Sequence, residues 1–285
     1  MSTRQIFDSI DDVRRVVGLA RGDGKKVGFV PTMGALHAGH VSLIDRAVED
    51  CGFVVVSIFV NPTQFGPNED FDKYPRDLDK DVAVCEKAGA DAIFAPSASE
   101  MYPAANSTWV DVEGITDHLC GASRAGHFRG VTTVCTKLFN IVCPDLAFFG
   151  QKDAQQAIVI KRMVADLNMP LEIVVCPTVR QEDGLALSSR NKYLSEAERN
   201  DALLISKALK ACARSIAGGE VDCEKLIGLM ESIVSSGAID IEYLSIVDTG
   251  TLENAAVIDG QVLVAIAGRV GKTRLIDNIF VDLNK

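Results

Sequence analysis

Along the first 180 residues, short apolar runs alternate with stretches in which apolar residues recur every three to four positions. KVGFVPT (26–32), FVVVSIFVN (53–61), DAIFAPS (91–97), DLAFFG (145–150) and LEIVVCPTV (171–179) have the length and β-branched content of buried strands. Between them HVSLIDRAVEDC (40–51), residues 77–89, VTTVCTKLFNIVC (131–143) and residues 153–168 carry helical spacing. Near-continuous apolar strands alternating with helices predict a parallel sheet covered on both faces, an α/β fold of the Rossmann-like, doubly wound kind.

After about residue 183 the pattern changes. Ser195, Glu196, Ala197 and Glu198 form a capping-box signature opening a helix to about 217, and a second helix fits 222–236. Three strand runs follow, IEYLSIVD, QVLVAIAG and TRLIDNIFV. Helices followed by successive strands predict a second, smaller α+β domain, so the expected division is 1–182 and 183–285.

Composition narrows the class. The chain has 285 residues, 47% hydrophobic and 24% charged, which is ordinary for a globular protein. Its formal charge of −10 disfavours extended nucleic-acid binding, which needs a basic face. No apolar run reaches the roughly 18 residues of a membrane span, and the polar N-terminus lacks a signal-peptide core. A cytoplasmic protein with no membrane partner is expected. The cysteines at 51, 85, 120, 135, 143, 176, 212 and 223 show no C-x-x-C pair, so they read as scattered thiols of a reducing compartment.

Four segments carry candidate chemistry. TMGALHAGH (32–40) follows the first strand of the sheet, where open α/β sheets bind ligands. Gly34 and Gly39 permit tight turning, and His40 is expected to begin a helix whose N-terminus attracts phosphate. That positive end keeps an imidazole neutral, a polarising donor. VNPTQFG (60–66) brings two neutral amides, Asn61 and Gln64, suited to hydroxyls or a carboxylate. FFGQKDAQQ (148–156) places Lys152 after a strand and Gly150, with Gln155 and Gln156 on the next helical turn. LALSSRNKYL (185–194) offers two serines and Arg190 to a phosphate. GRVGKT (268–273) imitates the end of a P-loop, but Ile266 stands where that motif needs glycine, so it reads as a hairpin.

VPTMGALHAGH, VSIFVNPTQF, GASRAGHFRGV, FFGQKDAQQ and DGLALSSRNKYL, in this order and spacing, resemble the motif set of the pantothenate synthetase (pantoate–β-alanine ligase) family. H-x-G-H alone indicates only the wider nucleotidyltransferase superfamily. Another H-x-G-H nucleotidyltransferase, which keeps the nucleotide on its product, and a non-catalytic nucleotide-binding module are the alternatives.

The resemblance implies ATP-dependent condensation of pantoate with β-alanine through a pantoyl-adenylate, in a homodimer using Mg²⁺. It implies that residues 1–182 bind ATP and pantoate and that 183–285 act as a lid. By the same likeness ATP is held by Met33, Gly34, Ala35, Leu36, His37, Ala38, Gly39 and His40, with Gly150, Gln151, Lys152 and Asp153. Val179, Leu187, Ser188, Ser189 and Arg190 complete that set. Gln64 is implied to hold pantoate and β-alanine, and Gln156 to hold pantoate. The family's usual glycine–glutamate–lysine–aspartate element reads G-Q-K-D here, with Gln151 second.

His40 is the residue the family assigns as proton donor. Pantoate's carboxylate is already ionised, so phosphate stabilisation is the role chemistry asks of it. His37, Lys152 and Arg190 are further candidate catalytic donors. Asp81 is the candidate metal carboxylate, and Asp153 the alternative to it. His127, with Arg124 and Arg129, is expected to meet ligand or a neighbouring subunit, and His118 to be structural.

Overall fold

A computed structural model describes residues 6–67, 69, 71–104 and 106–283. In chain order the first elements are β1 (Ile6–Phe7), α1 (Ile10–Gly22), β2 (Val27–Thr32), α2 (Ala38–Asp50), β3 (Phe53–Ile58), α3 (Leu78–Lys87), β4 (Ala92–Phe94) and the short α4 (Ala98–Met101). The short α5 (Cys120–Ser123), α6 (His127–Val142), β5 (Leu146–Gly150), α7 (Ala154–Asp166) and β6 (Glu172–Cys176) come next. The last are α8 (Glu196–Ala217), α9 (Cys223–Val234), β7 (Ile239–Asp248), β8 (Gln261–Val270) and β9 (Thr273–Asp282).

The chain divides into two compact units. One holds Met1–Glu113, Arg124–Gly150 and Val159–Pro177, the other Gly114–Ser123, Gln151–Ile158 and Thr178–Lys285.

In the first unit the sheet runs β1-β4-β3-β2-β5-β6, with parallel pairing. Parallel strands need crossovers, and the helices supply them on both faces. Val30, Val54, Val56 and Phe148 form one face, packed with Leu43, Ile44 and Ala47 of α2 and with Val82 and Cys85 of α3. On the other face the Phe139 ring of α6 stands edge-on to Phe29 and to Phe149, with centroids 6.3 and 6.4 Å away. Alternate strand residues therefore feed opposite cores, as the pleat requires.

Strand order reverses between β2 and β5. β2 pairs with β3 along its length, from Val27↔Phe53 to Thr32↔Ile58. Its pairing with β5 is confined to Gly28↔Leu146 and Phe29↔Ala147. β5 stays paired with β6 to Gly150↔Cys176. The carboxyl ends of β2 and β5 thus part at the topological switch point, the place where such sheets open a ligand crevice.

The second unit is built on the antiparallel sheet β7-β8-β9. Leu209 of α8 and Leu226 and Met230 of α9 pack with Ile246, Val264 and Ile266 of the sheet. The tight turn between β8 and β9, with Gly271 at φ 56°, is the hairpin expected of GRVGKT. Among the described residues, no helix is long and apolar enough to cross a membrane.

Candidate active site

The site begins where β2 ends. The Thr32 hydroxyl donates to the Ser57 carbonyl at 2.7 Å and accepts from Gly34 N–H at 3.2 Å. Gly34 sits at φ 79°, where a Cβ would also come within 2.8 Å of an Asp81 oxygen. Ala35 takes φ 52°, a left-handed conformation that costs a residue with a Cβ roughly 1–2 kcal/mol. Asp81 offsets that strain: it is 2% exposed and accepts from Ala35 N–H and Leu36 N–H, both at 2.8 Å. Asp81 acts here as a clamp on the loop that carries the histidines.

The helix α2 starts earlier than its sequence suggests, because His37 is its N-cap. His37 Nδ1 accepts from Gly39 N–H at 3.1 Å, and His37 N–H donates to His40 Nδ1 at 3.2 Å. The two rings stand 4.2 Å apart. A ring nitrogen that accepts an N–H carries no proton. Each imidazole is therefore assigned the neutral tautomer, with its proton on Nε2. Two N–H donors at a helix start are what a developing phosphorane or carboxyl oxyanion needs.

Beyond β3, Asn61 and Gln64 have different partners. Asn61 is 1% exposed; its Nδ2 donates to Gln64 Oε1 at 3.1 Å and to the Gly130 carbonyl at 3.1 Å. Its Oδ1 accepts from Thr63 Oγ1 and from Tyr102 Oη, both at 3.0 Å. Gln64 is thereby turned so that Nε2 faces the Met33 sulfur at 2.9 Å. A thioether is a weak acceptor, readily displaced by a carboxylate or hydroxyl.

Gly130 of α6 lets this turn seat closely, since a Cβ there would lie 2.4 Å from the Thr63 carbonyl oxygen. Arg124 grips Glu69 through two bonds of 2.7 Å and lies 3.0 Å from His127 Nε2, while His127 Nδ1 is 2.9 Å from the Gln64 carbonyl. The Arg124 hydrogen bond is the main reason that the Glu69 carboxyl is held below its ordinary range. Arg129 points elsewhere, pairing with Asp111 and lying over the Trp109 ring at 4.8 Å.

At the end of β5, a Cβ on Gly150 would meet nothing within 4 Å, so the backbone there borders open space. In the second unit the chain continues as a 3-10 turn, Gln151–Asp153, with Lys152 Nζ 3.9 Å from Asp153. The neighbouring glutamines have different environments. Gln155 is buried and ties the 115–120 segment, donating to the Ile115 and His118 carbonyls and accepting from Cys120 N–H. Gln156 is half-buried.

Val179 and Leu187 meet across a hairpin through Leu187 N–H to the Val179 carbonyl, 2.9 Å. Ser188 caps the 3-10 turn Ser189–Tyr193, accepting from Arg190 N–H at 3.2 Å. In the same unit Asn278 of β9 donates to the carbonyls of Gln151 and Lys152. Sequence reading passed over Asn278 and the clamping role of Asp81; an Asp-Asn pair inside an apolar strand was the available signal for the first.

Among the described residues there is no group of three or more His, Cys, Asp or Glu able to hold a metal ion. Both Asp81 oxygens already take backbone N–H groups. The described residues do not compose a resident metal site.

A parallel sheet with its order reversed at β2/β5, and H-x-G-H capping the helix after β2, defines a protein of the Rossmann-like α/β class. A family model described as pantoate-beta-alanine ligase matches residues 5–280. The chain belongs to this ligase family. It is 53% identical to a pantothenate synthetase of Acetivibrio thermocellus over 280 residues, 98% of this chain and all of that one. It resembles the crystal structure of pantothenate synthetase from Thermus thermophilus, with TM-score 0.91 and 44% identity over 96% of this chain and 98% of that one. It also resembles pantoate-beta-alanine ligase from Francisella tularensis, solved with β-γ ATP and β-alanine, with TM-score 0.78 and 36% identity over 97% of both chains.

Proposed function

We propose that the protein condenses pantoate with β-alanine at the expense of ATP, through an enzyme-bound pantoyl-adenylate. A pantoate carboxylate oxygen attacks the α-phosphorus of ATP, and the bond from that phosphorus to the pyrophosphate oxygen breaks. The β-alanine amine, in its neutral form, then attacks the pantoyl carbonyl carbon. The carbon–oxygen bond to AMP breaks, the nitrogen loses a proton, and pantothenate and AMP leave.

The observation that carries this reading is the paired presentation of His37 and His40. Each Nδ1 is engaged by the backbone, which assigns the ring proton to each Nε2, at a helix start beside the parted ends of β2 and β5. Family membership supports it, as does the relative solved with β-γ ATP and β-alanine.

In this reading Met33 to His40 line the ATP, and His40 stabilises the charge developing at phosphorus. Gly150 to Asp153, Val179 and Leu187 to Arg190 complete the nucleotide site, with Lys152 and Arg190 on phosphate oxygens. Gln64 takes pantoate and β-alanine through Nε2, and Gln156 takes pantoate. Mg²⁺ travels with the triphosphate, ligated by its oxygens and water. Residues 183–285 act as the lid that keeps water from the adenylate. A homodimer in the cytoplasm completes the proposal.

The test is pantoate-dependent exchange of labelled pyrophosphate into ATP, followed by addition of β-alanine. The reading predicts exchange only with pantoate, then AMP and an amide in equal amounts. His40→Ala is expected to lower exchange on the order of 10²–10³-fold with the fold intact. Exchange without pantoate, a stable nucleotidyl product, or full exchange in His40→Ala would overturn it.

A further inference from the structure

We propose that Asn278 is a positioning residue for Lys152, and that the Asp277–Asn278 step of β9 sets the spacing of two segments of the nucleotide site. The inference rests on the phosphate-holding role proposed above for Lys152.

Asn278 is 4% exposed and sits on a rigid rung of the small sheet, opposite Ala265 of β8. Its Nδ2 donates to two consecutive carbonyls, Gln151 at 3.0 Å and Lys152 at 2.9 Å. Both amide protons are thus spent on the 3-10 turn that carries the lysine. Gln151 Nε2 approaches Asn278 Oδ1 at 3.5 Å, which fixes which way the amide points. A long lysine side chain reaches where its backbone aims it, so the turn's orientation decides where Nζ can stand.

The preceding residue performs the matching task on the other segment. Asp277, also 4% exposed, takes Arg180 in a bidentate pair of 2.6 and 2.9 Å, and accepts from Asn278 N–H at 2.8 Å. Arg180 donates further to the Gly184 carbonyl at 3.2 Å, inside the hairpin closed by Leu187 N–H to the Val179 carbonyl. Successive strand residues project to opposite sides, so one dipeptide holds the Lys152 turn with one side chain and the Val179–Leu187 hairpin with the other. Buried polar groups are costly unless fully bonded, and here, apart from the Asn278 N–H bond to Asp277, the bonds run to the segments that the proposed function assigns to the nucleotide.

The experiment measures pantoate-dependent pyrophosphate exchange, with KM for ATP and for pantoate, in Lys152→Ala, Asn278→Ala, Asn278→Asp and the double variant Lys152→Ala/Asn278→Ala. Thermal melting is recorded beside each. Asn278→Ala is expected to lower kcat/KM for ATP roughly 10- to 100-fold while KM for pantoate stays within about twofold. Asn278→Asp, which turns an oxygen toward two carbonyls, should lose at least as much. The double variant should lie within about threefold of Lys152→Ala alone, because a residue acting through Lys152 has nothing left to position.

Losses that multiply in the double variant, or an Asn278→Ala enzyme within about threefold of the parent, overturn the inference. Retained exchange in Lys152→Ala refutes instead the reading of Lys152 itself. If Asn278→Ala does not fold, Asn278→Ser, which keeps one donor, carries the same cycle.

Discussion

Asp81→Ala removes the carboxylate beneath the loop that presents His37 and His40. The side chain is 2% exposed and takes two backbone N–H groups, at 2.8 Å each. Hydrogen bonds to a buried charge contribute about 1.5–3 kcal/mol apiece, and cutting both strands the Ala35 and Leu36 donors, so the loss should be roughly 3–5 kcal/mol. At about 2 °C per kcal/mol for a chain of this length, melting should fall on the order of 6–10 °C.

Activity should fall as well, in the protein that remains folded. Ala35 is held at φ 52°. Without the clamp the loop relaxes, the rings move, and a shift near 1 Å costs on the order of 100-fold in rate. Asp81→Asn, which turns an amide N–H toward one of the two donors, should lose roughly half as much stability. Melting by circular dichroism and pyrophosphate exchange over a Mg²⁺ titration separate clamp from metal ligand. A clamp predicts that added Mg²⁺ restores nothing. An Asp81→Ala protein that melts within about 2 °C of the parent, or recovers activity in excess Mg²⁺, would refute this reasoning.

Gly130→Ala puts a methyl group 2.4 Å from the Thr63 carbonyl oxygen, so it should cost about 1–3 kcal/mol and raise KM for pantoate by shifting Gln64; urea melts and steady-state kinetics check both. Arg124 lowers the Glu69 carboxyl below its ordinary value, so the pair stabilises the fold above about pH 4.5, and that contribution fades as pH falls through the depressed folded value. Glu69→Gln should therefore unfold at lower urea than the parent near neutral pH, with the two midpoints converging in acid. Burial pushes the Cys85 and Cys135 thiols up to about 12. A thiol-reactive dye should accordingly label exposed Cys143 first and reach all eight cysteines only after denaturation.

Periodicity located β2, β3, β5 and the helices α2, α6 and α7 because each buries a long apolar face. It passed over α1, whose buried face is Val13, Val17 and Ala20 among charged neighbours. The start of α6 at His127, ahead of the expected 131, follows from Gly126 at φ 77°, a turn that apolar spacing does not encode. The start of α2 was misplaced for a related reason, since histidine is not among the usual N-caps and only its Nδ1 geometry makes it one.

The candidate residues His37, His40, Gln64, Gly150 and Lys152 were legible as candidates because each lies in a compact motif at a strand end. What holds them was not legible. Asp81 lies 45 residues from Leu36, and Asn278 lies 126 from Lys152. Gln155 and Gln156 are adjacent in sequence and differ only in which way the helix turns them.

The double use of the His37 ring bears on any attempt to engineer this enzyme. Replacing a poor N-cap by Ser or Asp is a standard route to stability, gaining about 1 kcal/mol per helix. At position 37 the proposed function closes that route, since the atom that caps the helix and the atom that the proposal gives to substrate belong to one ring. Fraying of the first turn of α2 and disarming of the histidines are then one event. Hardening against heat has to come from sites elsewhere in the chain, and under the proposed function amide exchange at Gly39 and His40 becomes a gauge of how often the catalyst is assembled.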